Sequence, residues 1–419
     1  MTVTESDLQT GRIVGIAGPV VDVEFPPGHL PEINNELEFT VQVGGEEVRV
    51  PAEVAQQIGD NRVRAIAMKQ LRNNVIRAGL DALYFSGAHH LLRPILAGVG
   101  AIFMLHHVRP ARDDMFQPNQ HLEITPDFLR EVLAHVRALG VDIVSMDEAH
   151  RRMRERDFAR RFACFTFDDG YRDNRDHALP VMRDHNAPFT VYVASDFAEG
   201  SGRLWWVALE RVIARASAID IVRDGATLSL DAHDDDAKQA AFQQAHDWLQ
   251  TLASDAEVQR EVSKLCARHG VDDAAIPREL CMSWPELRSF AADPLVTIGA
   301  HTISHCNLAR ESEAEAVRQM RGSRERIEAE LQRPALHFAY PYGYRTAAAA
   351  REFAMARELG FATAVTTRPG MIFPENAEHL TALPRVSLNG NYQTTRFLSV
   401  LTSGAATAMW NGFRRVNAA

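Results

Sequence analysis

Cysteine is scarce: the four in 419 residues, Cys164, Cys266, Cys281 and Cys306, form no C-x-x-C pair and follow no framework spacing. A disulfide scaffold is therefore not required, and a reducing, cytoplasmic compartment is the expectation. Long apolar runs are lacking too. The best of them, Ile95 to Leu105, is about half of the roughly 20 residues a membrane-crossing helix needs, and it reads as a buried strand with its approach. The opening MTVTESDLQTG has no basic segment followed by an apolar one, so no secretory leader is read there. No G-x-x-x-x-G-K-[ST] run occurs anywhere, which excludes hydrolysis of a nucleotide on a phosphate-cradling loop. Positive charge is in deficit, with 45 Lys and Arg against 55 Asp and Glu and a net charge of -10. Nucleic acid is thereby disfavoured as a partner, and a neutral or cationic substrate fits better.

What is present is ordinary globular material. Hydrophobic residues at 46% and charged residues at 24% argue against disorder, and 419 residues exceed what one core holds, so two or more units are expected. From Gly11 to Met68 short alternating apolar runs are punctuated by Gly18-Pro19, Pro26-Pro27-Gly28 and Gly44-Gly45, the pattern of a small all-β barrel or sandwich. The texture changes at Lys69. Helix-compatible LRNNVIRAGLDALYF is followed by strand-like runs alternating with longer helical patterns, which predicts a parallel α/β architecture over 69–419. The strands are read at Gly100 to Leu105, Val141 to Ser145, Phe162 to Phe167, Phe189 to Ala194, Leu295 to Ala300, Leu336 to Tyr340 and Phe361 to Thr366. A charged, Ala- and Gln-rich stretch at about 231–270 reads as a helical insertion between two of them.

Three polar clusters follow directly on predicted strands: Asp168-Asp169-Gly170, His301 with His305, and Pro341-Tyr342-Gly343. In a parallel barrel such strand ends converge on one face. Two imidazoles and a carboxylate are a ligand set for a catalytic divalent cation with a position left open. His301 and His305 share a face if the strand passes into a helical turn, whereas adjacent Asp168 and Asp169 cannot point the same way along extended backbone. One carboxylate can then bind metal while the other faces the water. Taken singly, an H-x-x-x-H pair arises by chance and an Asp-Asp-Gly is more often a turn; the weight comes from all three clusters falling at strand ends.

FTFDDGY (Phe165 to Tyr171), GAHTISH (Gly299 to His305) and FAYPYG (Phe338 to Gly343) resemble the first three motifs of the NodB-type polysaccharide deacetylases. The resemblance extends through FMLHHV, LWWVALE and MSWPEL and covers most of 68–419. It implies a distorted (β/α)7 barrel, a divalent metal that is zinc, with cobalt, nickel or iron as alternatives, and an N-acetylated oligo- or polysaccharide as substrate. It also implies Asp168 as the base and Asp169, His301 and His305 as metal ligands. The Tyr342 N–H would help hold the oxyanion, with Tyr340 and Arg385 beside it on the substrate side.

The sequence departs from the family pattern twice. Ala339 stands where many members carry an Arg that pairs with the base, and no Leu-x-His motif is evident near Leu383 to Gly390. Arg385 is a replacement for the missing Arg. His106 is the first candidate for the acid, as often a core histidine or a substrate contact, with His107 and His379 behind it. Trp205 and Trp206 suit either sugar stacking or core, and Cys306 reads as a small buried residue and not as a fourth ligand.

GRIVGIAGPVVDVEFPPGHLPEINNELEF, with EVAQQIGDNRVRAIAM, resembles the N-terminal β-barrel of the F-type ATP synthase β subunit over Gly11 to Met68. Isolated from its ring, such a unit would expose an apolar edge, and self-association through it is an expectation. Two competing readings follow: an assembly fragment in which only this unit acts, and a carbohydrate-binding pseudoenzyme.

Overall fold

The computed structural model describes residues 11–17, 20–26, 28–31, 36–43, 46–59, 61–67, 69–223, 226–416 and 418. Met68, the seam in the sequence, lies outside them. The chain divides into two compact units, Met1–Ala82 and Leu83–Ala419. Among the described residues no helix is long and apolar enough to cross a membrane.

In the first unit, strands Arg12–Ala17, Val20–Glu24, Glu36–Val43, Glu46–Gly59 and Arg62–Ala67 pair antiparallel in the order first, second, fifth, fourth, third. The outer two do not pair with each other, so among the described residues this is an open sheet and not a closed barrel. Period-two alternation puts Val23 and Phe25 on one face, where they are buried with Val54 and Val63. Glu24 lies opposite Arg12 on one neighbouring strand and Arg62 on the other, with Nη2 to carboxylate distances of 3.0 and 3.3 Å.

The second unit is built on parallel strands whose apolar runs are buried on both faces, as a barrel wrapped by helices requires. The barrel strands are Gly100–Leu105, Phe162–Phe167, Phe189–Val193, Val296–Ala300, His337–Ala339, Thr363–Pro369 and Leu383–Ser387. The ring closes because the second strand pairs with both the first and the third, and the seventh pairs back to the first. The (β/α)7 expectation therefore holds. Two details differ. The run read at Val141 to Ser145 contributes only Asp142–Ile143, a short ladder outside the ring on the second strand, and the strand that completes the ring is Leu383–Ser387.

Between the third and fourth barrel strands the chain makes a helix, Trp205–Arg215, a hairpin of Ala218–Arg223 with Ala226–Asp231, and helices Asp235–Thr251 and Asp255–Arg268. The hairpin is not among the strands read from the sequence; Ile219 and Ile221 alternate inward there with Leu230. Asp234 starts the next helix by accepting the Ala237 N–H at 2.8 Å. These elements share one core of Trp205, Trp206, Leu209, Phe242, Leu249 and Val262.

Candidate active site

The end of the second barrel strand carries both aspartates. Asp168 is still in register, its N–H bonded to Leu105 O at 3.0 Å. Asp169 then turns with φ 73° and Gly170 with φ 71°, so the two carboxylates diverge. Asp169 Oδ1 lies 3.5 Å from His301 Nε2 and 3.3 Å from His305 Nε2. All three donors fall within 4.8 Å of one another and are nearly closed off from solvent.

The imidazoles converge by a different route from a helical turn. Residues 301–307 are irregular, with a bend at Ile303 and Ser304, and Thr302 (φ 64°) and His305 (φ 59°) take left-handed backbone to fold the second ring back over the first. His301 Nδ1 is 2.7 Å from Ala339 O. A carbonyl only accepts, so Nδ1 carries the hydrogen and Nε2 presents its lone pair to the centre of the cluster. Asp169 Oδ1 is buried with no hydrogen-bond partner. Burial pushes the Asp169 carboxyl up, but the two imidazoles beside it, His305 foremost, outweigh it and hold it well below the usual range. A buried, ionised, unpaired oxygen facing two imidazole nitrogens fits a divalent cation, and the three donors leave a coordination position open.

Asp168 faces the barrel interior. Arg385, fully enclosed on the seventh strand, holds it with Nη1 to Oδ1 at 2.8 Å and Nη2 to Oδ2 at 2.7 Å. The same guanidinium donates to Thr366 O at 2.8 Å and to Thr166 Oγ1 at 3.1 Å, which fixes its plane. Burial raises the Asp168 carboxyl, and the charge and hydrogen bonds of Arg385 more than reverse that, so it is ionised at neutral pH. Arg385 thus pairs with Asp168, as expected of a replacement for the missing Arg, and does not stand on the substrate side with Tyr342. His106, one residue past the first strand, has Nε2 3.9 Å from Asp168 Oδ2. Its pKa is lowered, because burial outweighs the pull of Asp168 and Asp169.

Tyr342 has φ 60°, its ring stands 5.1 Å from that of His305, and its hydroxyl accepts the Trp205 indole N–H at 3.0 Å. Among the described residues nothing accepts its backbone N–H. Tyr340 is elsewhere. It shares the outer face of its strand with Phe338, packs on Phe353 and donates its hydroxyl to Thr381 O at 2.8 Å, so it cannot touch substrate or oxyanion. His107 is stacked on Tyr171 and bonded to Asp173 at 2.6 Å. His379 is exposed, on the connection that leads into the start of the seventh strand and so at the opposite end of the barrel. Cys306 is a free, buried thiol outside the ligand cluster. The sequence reading missed Thr166; its signal is the strand period, a lone polar residue two before Asp168 in FACFTF.

The family model for polysaccharide deacetylase covers residues 155–364, half of the chain. The chain belongs to that family. It is accordingly a hydrolase acting on amide bonds of polysaccharides. The β-barrel domain of the ATP synthase alpha/beta family matches residues 13–73. Similar solved structures include the deacetylase PplD of Streptococcus pyogenes in complex with acetate, at 17% identity over 70% of this chain and 92% of that one, with a TM-score of 0.45. IcaB from Ammonifex degensii is 16% identical over 73% and 97%, with a TM-score of 0.43. A polysaccharide deacetylase from Bacillus cereus is 12% identical over 94% and 100%, with a TM-score of 0.46.

Proposed function

We propose that residues 69–419 form a metal-dependent deacetylase that releases acetate from N-acetylated amino sugars of an oligo- or polysaccharide of the chitooligosaccharide or poly-N-acetylglucosamine type. The supporting observation is the buried trio of Asp169, His301 and His305 beside an Asp168 kept ionised by Arg385. The strands within Arg12–Ala67 supply none of these residues.

An amide carbonyl is a poor electrophile, so hydrolysis needs an activated water and a stabilised oxyanion. A divalent cation bound by the trio, zinc in our reading and with cobalt, nickel or iron suited to the same donors, would polarise the carbonyl and lower the pKa of a water to roughly 7. Asp168 accepts the proton of the attacking water, a role that requires its ionised form. The Tyr342 N–H, unclaimed within the fold, donates to the developing oxyanion; one such donor is typically worth about 10²–10³ in rate. As the C–N bond breaks, the amine must gain a proton, and we assign its delivery to His106. A neutral ring at that position has to be charged first, and Asp168 Oδ2, at 3.9 Å, is the source of the proton.

The test is acetate release by the full chain from chitooligosaccharides and from poly-N-acetylglucosamine, metal-stripped and then reconstituted. Release that needs the added metal is expected. Undiminished release after stripping would remove the cation from the mechanism, and no release from either polymer with metal restored would remove the substrate class.

A further inference from the structure

Acidic residues are missing from two stretches of the second unit. A chain with 55 Asp and Glu has none between Leu83 and Arg112 and none from His379 to Ala419. The fold brings parts of these stretches together. Helix Thr395–Thr402 leads through Gly404 into helix Ala405–Trp410, which packs on helix Ala88–Leu96 so closely that Gly404 has no room for a Cβ against Leu96 O. Arg396 reaches over the ring of Phe85, its guanidinium carbon 5.5 Å from the centroid. Phe85, Leu91, Ile95, Met409, Trp410 and Phe413 are six of the thirteen large apolar side chains exposed among the described residues. Scattered singly, such residues need no explanation; gathered on adjoining helices they mark an interaction surface. Leu91 and Ile95 stand one helical turn apart at 80% and 61% exposure, while His89 on the other side is buried, so this helix turns an apolar face outward.

The charge on this surface is cationic. Arg93, Arg396, Arg414 and Arg415 belong to the same helices and to the turn after the last of them. Arg414 is exposed and makes no ion pair among the described residues. Anionic neighbours stand at the border: Glu131 accepts the Thr395 hydroxyl at 3.1 Å, and Glu375 lies 3.4 Å from Arg415 Nη1. An apolar face carrying arginines, on a protein whose net charge is -10, is complementary to a partner with fixed negative charge over an apolar layer. An anionic bilayer has both. A second copy of the chain does not, because a two-fold contact would set the same arginines against one another. Helix Ala88–Leu96 runs into the start of the first barrel strand at Gly100, whereas the trio stands at the far ends of the strands. Contact through this surface therefore leaves the candidate active site uncovered.

We propose that this face docks on an anionic phospholipid bilayer, its apolar side chains entering the headgroup layer without crossing it and its arginines pairing with headgroup phosphates. The inference is independent of the deacetylase reading. The full chain is sedimented with vesicles of phosphatidylcholine alone and of phosphatidylcholine mixed with roughly one third phosphatidylglycerol. Binding to the mixed vesicles should be at least about tenfold tighter than to phosphatidylcholine and should weaken as salt is raised. Leu91→Glu, Trp410→Glu and Arg414→Glu, all at exposed positions, should each weaken it by about tenfold while still melting cooperatively. Ile13→Glu, at an exposed apolar position of the first unit, should leave it unchanged. No sedimentation with the mixed vesicles, equal binding to both kinds, binding kept by all three folded variants, or binding lost in Ile13→Glu would each overturn the proposal. Self-association in the absence of lipid, seen by light scattering and lost in the same three variants, would assign the surface to a second copy and overturn it as well.

Discussion

Arg385 and Asp168 meet as a two-pronged pair inside the barrel, both guanidinium Nη atoms on both carboxylate oxygens, at 2.8 and 2.7 Å. The pair joins the second and seventh strands, which are not neighbours in the ring. The first strand lies between them.

Replacing Arg385 with Met should uncover what the pair does. Without the guanidinium, burial is opposed only by the weaker pull of His301 and His106, and the Asp168 pKa moves up. A base works only when ionised, so the acid limb of kcat/KM should shift to higher pH, by about one unit or more for a loss of ~1.4 kcal/mol. An unshifted limb in a folded variant would separate Arg385 from the base.

Asp169→Ala, His301→Ala and His305→Ala should each lose bound metal, because three protein ligands leave no redundancy in an open site. Elemental analysis of the purified variants decides. A full equivalent retained by two of them would show that the ligand set is wrong.

Asp168→Asn should uncouple occupancy from rate. Metal stays, since no ligand is removed, and turnover falls by roughly 10²–10⁴. Loss of metal along with activity would make Asp168 a ligand.

Deleting residues 1–67 should leave acetate release unchanged, since every residue assigned to the site belongs to the unit Leu83–Ala419. A truncated chain that melts cooperatively but no longer deacetylates would give the N-terminal unit a part in the site.

Gly404→Ala should lower stability by more than about 1 kcal/mol. Its φ is 78°, and a Cβ there would sit 2.0 Å from Leu96 O, so the backbone has to move. The shift in melting temperature measures it, and an unchanged midpoint would count against this close approach.

The barrel was largely legible because its strands are short apolar runs bounded by turns, and Phe162–Phe167 could be read to the residue. Leu383–Ser387 was not, because Pro384 and Arg385 break the apolar pattern of a central strand; the arginine is tolerated inside only because Asp168 and two threonines take up its donors. Tyr340 was misplaced for a related reason. Proximity in the motif suggested a role, while strand alternation sends it outward with Phe338 and leaves inward-facing Ala339 to offer only its carbonyl to His301. The convergence of His301 and His305 could be guessed from their spacing, but the left-handed residues that produce it have no signature in Thr302 or His305 themselves.

Of the nine non-glycine residues with left-handed backbone among those described, four lie at the site: Asp169, Thr302, His305 and Tyr342. Each carries roughly 1–2 kcal/mol of steric cost that glycine would avoid. The chain therefore keeps its least comfortable backbone where its side chains matter most. Glycine at these positions would relieve the strain only by giving up the buried contacts of Asp169, Thr302 and His305, so the strain is held in place by the same packing that closes the site.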